Sequence, residues 1–114
     1  MNKEVQDSKV PTPDDFICMF GCEATINPDT IVQECIFYDD SGKELKLAFG
    51  LLDNSFSIFI LNNDSLEVSI RSDYLLSVNI SGQGIDVVYI GHSKDVKFSL
   101  KVWPQIVISM LNLE

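Results

Sequence analysis

The stretch "ELKLAFGL", residues 44–51, places a large apolar side chain at every second position. Glu44, Lys46 and Ala48 occupy alternate positions between these apolar residues. Because successive side chains of a strand point to opposite faces, a period of two predicts a β-strand with one dry and one wet face. Burial on one face is typical of antiparallel sheets, since parallel strands are apolar on both faces.

The same alternation recurs further along the chain, in three segments that each predict a strand. These are residues 66–71 (Leu66, Val68 and Ile70 apolar), 76–81 (Leu76, Val78 and Ile80 apolar) and 96–103 (Val96, Phe98, Leu100 and Val102 apolar).

Three other segments, residues 31–38, 56–61 and 85–90, are apolar on both faces and are expected at the centre of a sheet or under a helix. Residues 105–111 form either an eighth strand or a short helix, and the spacing of Ile106, Ile108 and Met110 favours the strand. Short turn sequences rich in Asp, Asn, Ser and Gly separate the segments. The sequence therefore predicts a mainly β (α+β) fold, an antiparallel meander of seven or eight strands in a curved sheet or a sandwich.

One short N-terminal helix is predicted to accompany the strands. Thr12 is a suitable N-cap, Pro13 suits the first helical position, and Asp15 completes a capping box. Gly21 is expected to end the helix, and Phe16, Met19 and Phe20 form its apolar stripe. Residues 1–11 are predicted to be a flexible N-terminal lead, and residues 12–114 a single β-rich domain.

The sequence contains no pattern of catalytic, cofactor-binding or metal-binding residues. Cys18, Cys22 and Cys35 have a spacing that matches no common zinc site, and His92 is the only histidine. An odd number of cysteines favours reduced, structural thiols. We therefore expect no catalytic residues, no metal and no cofactor, and we expect that the protein is not an enzyme.

Charge indicates the kind of partner. The net charge is −9, and residues 1–70 carry thirteen carboxylates against four lysines. Such a surface repels phosphate backbones and attracts a basic protein. Because the chain shows no signal peptide and no membrane-spanning stretch, we expect a cytoplasmic protein that binds neither nucleic acid nor membranes directly. It is expected to be a monomer or a homodimer.

The chain resembles the small acidic β-rich bacterial immunity proteins of contact-dependent inhibition and related polymorphic toxin systems. The resemblance lies in "FG" (20–21), "DDSGKELKLAF" (39–49), the short alternating strands and "WPQIVI" (103–108). It implies a protein that binds and neutralises a cognate toxin domain, for which a basic, nuclease-type toxin is the expected partner. An acidic secretion-type chaperone, a small-molecule-binding β-barrel and an uncharacterised enzyme are alternatives.

The candidate partner-binding residues are acids of the first half together with the single tryptophan: Asp39, Asp40, Glu44, Asp53, Asp64 and Trp103. Trp103 falls on the polar face of its strand, where an exposed tryptophan is a typical interface anchor. The alternative is that Trp103 packs under the N-terminal helix or the end of the chain.

Overall fold

The computed structural model describes residues 10–82, 84–91 and 94–112. The elements in chain order are α1 (Pro13–Phe20), β1 (Glu23–Asn27), β2 (Val32–Tyr38), β3 (Lys43–Gly50), β4 (Ser55–Asn62), β5 (Ser65–Ser72), β6 (Leu75–Ser81), β7 (Gly84–Ile90), β8 (Asp95–Lys101) and β9 (Val107–Asn112).

The strands form two antiparallel sheets, sheet A in the order β1-β2-β3-β4-β5 and sheet B in the order β6-β7-β8-β9. The predicted mainly β, antiparallel architecture with one short helix is thereby confirmed. The described residues contain nine strands because Glu23–Asn27 adds one that the sequence analysis did not include. That strand has five residues, four of them exposed, so it shows no alternation of apolar side chains.

The segments predicted to be central are central. β2, β4 and β7 each pair with a strand on both sides. The last segment is resolved in favour of a strand, β9, which begins just after the buried Ile106.

The two sheets enclose one core. The ring of Phe56 in β4 lies 5.3 Å from that of Tyr89 in β7 and 6.5 Å from that of Phe98 in β8, measured between centroids. The predicted inward residues of β3 and β8 are buried, whereas those of the edge strand β5 are only half covered and Leu66 is exposed.

Strand β6 differs from its predicted face pattern. A register shift between Leu75 and Ser77 in its pairing with β7 interrupts the alternation. As a result Leu75 is buried and Leu76 is only partly covered, although the spacing had placed Leu76 on the dry face. A bulge of this kind reverses the facing of a strand locally, and the sequence carries no marker for it.

The helix begins and ends as predicted. The Thr12 hydroxyl accepts a hydrogen bond from the Asp15 N–H, and the Asp15 carboxylate accepts one from the Thr12 N–H. Gly21 closes the helix in the left-handed conformation, with a φ of 68°. The fully buried Phe16 stacks on Phe49 of β3 with 6.3 Å between ring centroids, which fixes α1 against sheet A.

Residues 10 and 11, which the sequence analysis placed in the lead, contact the domain. Val10 is buried, and the Pro11 carbonyl accepts a hydrogen bond of 2.9 Å from the side-chain amide of Gln33. Gln33 is 1% exposed, and a buried amide requires such a partner. Residues 1–9 lie outside the described residues.

In the part of the chain that the structure describes, α1 is the only α-helix and has eight residues. The longer helices that a secretion-type chaperone would need for dimerisation are therefore absent from that part. No described helix has the length and apolar character required to cross a membrane.

Candidate functional site

A groove of about 420 Å³ opens at one end of the molecule. Its walls are residues 19–23 at the end of α1, residues 36–38 at the end of β2, Gly82, and residues 102–103 after β8. We call this the end groove. It forms because β1 starts at Glu23, opposite Ile36, so the last two residues of β2 have no β1 partner.

Trp103 stands at the end groove with its ring in solvent. Trp103 is 68% exposed, while Val102 before it and Ile106 after it are buried. Burial of these two residues fixes the loop between β8 and β9 and leaves the indole on the outside. Of the two alternatives for Trp103, the structure favours the exposed position.

Two further apolar side chains at the groove are exposed, Tyr38 at 61% and Met19 at 45%. The sequence pattern predicts that Met19 belongs to the apolar stripe of the helix and Tyr38 to a central segment. Tyr38 is the last residue of β2, immediately before the acidic turn. Its position at a strand end is the feature of the sequence that could have indicated its exposure. Exposed aromatic residues beside a concavity are typical of protein-binding surfaces.

Strand register gathers most of the predicted acidic residues at the same end of the molecule. Tyr38 pairs with Glu44 across β2 and β3, and the turn between them contains Asp39 and Asp40. The neighbouring turn, with Asp64, is joined to it by a hydrogen bond of 3.1 Å from the Asn63 N–H to the Gly42 carbonyl. We call Asp39, Asp40, Glu44 and Asp64 the acidic end.

Asp53 does not join them, because it lies in the β3–β4 turn at the opposite end of sheet A. Its carboxylate accepts hydrogen bonds from the Ser55 hydroxyl at 2.7 Å and the Ser55 N–H at 3.1 Å. These bonds lower the pKa of Asp53. The structure thus places Asp53 in a turn, away from the end groove.

Asp39 belongs to the acidic end, but its oxygens are already engaged. One accepts from the Ser41 N–H and hydroxyl and from the Lys43 N–H at 2.8–3.0 Å, and the other accepts from the Ile106 N–H at 2.8 Å. Partial burial alone would raise the pKa of Asp39, but the bonds from Ile106, Ser41 and Lys43 outweigh it and lower the pKa to about 2. Asp39 therefore fixes the hairpin and the loop that carries Trp103.

Asp39→Asn is expected to lower the free energy of unfolding by about 1–2 kcal/mol at pH 7, because the amide cannot accept all four hydrogen bonds. The folded-state pKa of about 2 lies below the ordinary value of 3.8. The carboxylate's contribution is therefore complete above about pH 4 and is lost as the pH falls through 2. Urea denaturation across that pH range should show that the difference in free energy of unfolding between wild type and variant decreases as the pH falls.

The control for this experiment is Asp40→Asn, which removes the same charge from the next, exposed side chain. A loss of stability from Asp40→Asn as large as that from Asp39→Asn would contradict the role given to the hydrogen bonds.

The cysteines occupy three different environments. Cys18 is exposed, Cys22 is partly covered and its thiol lies 3.6 Å from the Phe16 carbonyl, and Cys35 is buried. Burial raises the pKa of the Cys35 thiol to about 12, so it stays protonated. Within the described part of the chain, no three His, Cys, Asp or Glu side chains lie together in a way that could hold a metal ion. His92 lies outside the described residues.

Comparison with known proteins finds a similar fold among solved structures. No protein-family model and no curated protein matches the chain. Among solved structures, it is similar to a chain of the "Contact-dependent growth inhibition toxin - immunity protein complex from Klebsiella pneumoniae 342", with 14% identity and a TM-score of 0.77. The match covers 91% of this chain and 96% of that chain. At this identity the likeness establishes a shared fold, and it confirms the fold resemblance expected from the sequence.

Proposed function

We propose that the chain is an immunity protein that binds a cognate toxin domain through the end groove and the acidic end. The observation that carries this proposal is the position of the exposed Trp103 and Tyr38 beside carboxylates at one end of the fold. The shared fold with a chain of a toxin–immunity complex supports it. The protein acts by binding and performs no catalysis of its own.

Charge suggests which toxin class fits. A nuclease must hold phosphates, so its substrate-binding cleft is basic. A surface with several carboxylates around an apolar groove complements such a cleft and excludes the nucleic acid from it. We therefore propose a basic, nuclease-type toxin, inhibited in the cytoplasm by occlusion of its active or substrate-binding surface.

The proposal predicts that the reading frame immediately upstream of the chain's gene encodes the toxin domain, and the direct test is co-expression of that domain with the chain. We expect the domain alone to stop growth of the host and the chain to restore growth. The two purified proteins should form a complex in size-exclusion chromatography. If the toxin remains active and unbound in the presence of excess chain, the proposal is wrong.

A charge-reversal pair tests where the toxin binds. Asp40→Lys combined with Asp64→Lys at the acidic end should slow association with the toxin about tenfold and reduce its salt dependence, because charge steers the encounter. Stopped-flow or biosensor kinetics at two salt concentrations would measure both effects.

The matched control combines Asp29→Lys with Asp73→Lys. These two exposed residues lie in turns at the opposite end of sheet A, and the control changes the net charge by the same amount. Equal slowing by the two double variants would show that only net charge matters, and would remove the acidic end from the proposal.

A further inference from the structure

Most of the side chains that line the end groove are apolar, and one carries a negative charge. Trp103, Tyr38 and Met19 line it, and Trp103 and Tyr38 are each more than half exposed while Met19 is 45% exposed. Among the described residues that line it, Glu23 is the single charged side chain. A lining of this kind favours an occupant that has an apolar stem, a flat face and a positive charge.

Carboxylates stand beside the groove, and no lysine or arginine is among the described residues that line it. Glu44 pairs with Tyr38 in the strand register, and Asp40 follows in the adjoining turn. The Lys46 Nζ lies 3.8 Å from Glu44 Oε2, and the Lys43 Nζ lies 3.9 Å from Glu67 Oε1. Neither lysine is among the residues that line the groove. Loss of water at the Tyr38 hydroxyl, and then the carboxylates of Glu44 and Glu23, raise the pKa of Tyr38, which agrees with a negative environment.

Arginine meets the three requirements better than lysine does. Its guanidinium group is planar, stacks on aromatic rings and is more weakly hydrated than an ammonium group, so it loses less on leaving water. The chain contains an example of the same contact, in which Arg71 lies over the ring of Phe59 at 5.9 Å from the centroid. That pair lies on the outer face of sheet A, away from the groove.

We propose that the end groove binds an arginine side chain of a basic partner protein, stacked on the ring of Trp103 or Tyr38 with its charge directed at Glu23. The identification of that partner as a toxin rests on the proposed function. The binding of arginine by the groove does not depend on it.

The isolated chain offers a direct measurement, because Trp103 is its only tryptophan. A capped glycine–arginine–glycine tripeptide is titrated into the full chain while tryptophan fluorescence is recorded. We expect a saturable change with a Kd on the order of 1 mM, as suits a single desolvated cation–π contact with one charge pair. The same peptide carrying citrulline, which has the same shape without the charge, should bind at least about fivefold more weakly. The lysine peptide should also bind more weakly than the arginine peptide.

Two variants locate the binding. Glu23→Gln should raise the Kd of the arginine peptide roughly fivefold. Glu34→Gln, which removes an exposed carboxylate from the outer face of β2, should leave the affinity unchanged. The proposal is overturned by a linear, unsaturable response, by equal binding of the citrulline peptide, or by equal effects of the two variants. Equal binding of the lysine peptide would overturn the selection of arginine.

These outcomes are separable from those of the proposed function. If the toxin binds but the arginine peptide does not, the groove inference fails and the immunity role stands. If the peptide binds in the predicted way but no toxin is neutralised, the proposed function fails and the groove retains its arginine specificity.

Discussion

Trp103→Ala is expected to weaken binding of the toxin by about 2–3 kcal/mol, which is roughly a 30- to 150-fold rise in Kd. Trp103 is 68% exposed in the free chain and stands beside a groove that a partner side chain can fill. Tryptophans placed in this way lose most of their water on binding and dominate interface energetics. Because the ring makes little contact with the core, the free energy of unfolding should change by less than about 0.5 kcal/mol.

Tyr74→Ala is the control for this experiment. Tyr74 is also 68% exposed, but it lies in the link between β5 and β6, at the other end of sheet A. Its removal should leave the Kd within about twofold, since it lies outside the end groove. Calorimetric titration of the toxin would measure both variants. An equal loss of affinity in the two would contradict the assignment of the end groove as the binding centre.

Gly84→Ala is expected to lower the free energy of unfolding by about 3 kcal/mol, the upper range for an overpacked site. Gly84 begins β7 and is buried, and a methyl group there would collide with the backbone carbonyl oxygen of Leu100 in β8. Its φ of 155° is also one that side-chain-bearing residues rarely adopt. Since the obstacle is backbone, relief requires the β7–β8 ladder to separate locally. Chemical denaturation at pH 7 would measure the loss.

Gly82→Ala provides a matched substitution in the same β6–β7 turn. Apart from its chain neighbours, a methyl group at Gly82 meets no atom of the described residues within 4 Å, so this variant should be stable to within about 0.5 kcal/mol of the wild type. If both alanines destabilised the chain equally, the turn as a whole, and not the approach to Leu100, would be the cause.

The strands and the helix could be predicted from sequence because their signals are local. The alternation around Leu45 and Leu47 reports a strand with one buried face, and both residues are fully buried. Thr12 and Asp15 form the capping box that their spacing predicted. These features depend on neighbours three or fewer positions away, so a single sequence contains them.

Other features of the fold depend on tertiary contacts. The register shift at Leu75 has no marker in the sequence, so Leu76 was assigned to the wrong face. Met19 falls on the apolar stripe of α1, but the helix ends over the groove and the side chain stays exposed. The spacing of apolar residues along a helix defines its apolar stripe, but it does not predict how far the sheet that covers this stripe extends.

In the candidate site, too, some features follow from local sequence and others depend on tertiary contacts. Trp103 was identified by its place on a polar face, and the structure leaves it exposed. The groove itself brings together residues near positions 20, 37, 82 and 103, which are far apart in the sequence. The turns at Asp39 and Asp53 could be predicted from the sequence. In each turn an aspartate precedes a serine by two positions, and in this pattern the carboxylate accepts hydrogen bonds within the turn.

The order of the strands also bears on how the chain folds. In the described residues every ladder joins strands that follow each other along the chain, and no connection crosses a sheet. Each sheet can therefore grow hairpin by hairpin from short loop closures, without waiting for a distant segment to insert between strands already paired. What remains for the late stage is the docking of two nearly complete sheets, a step to which the contact between Asp39 and Ile106, 67 positions apart, belongs.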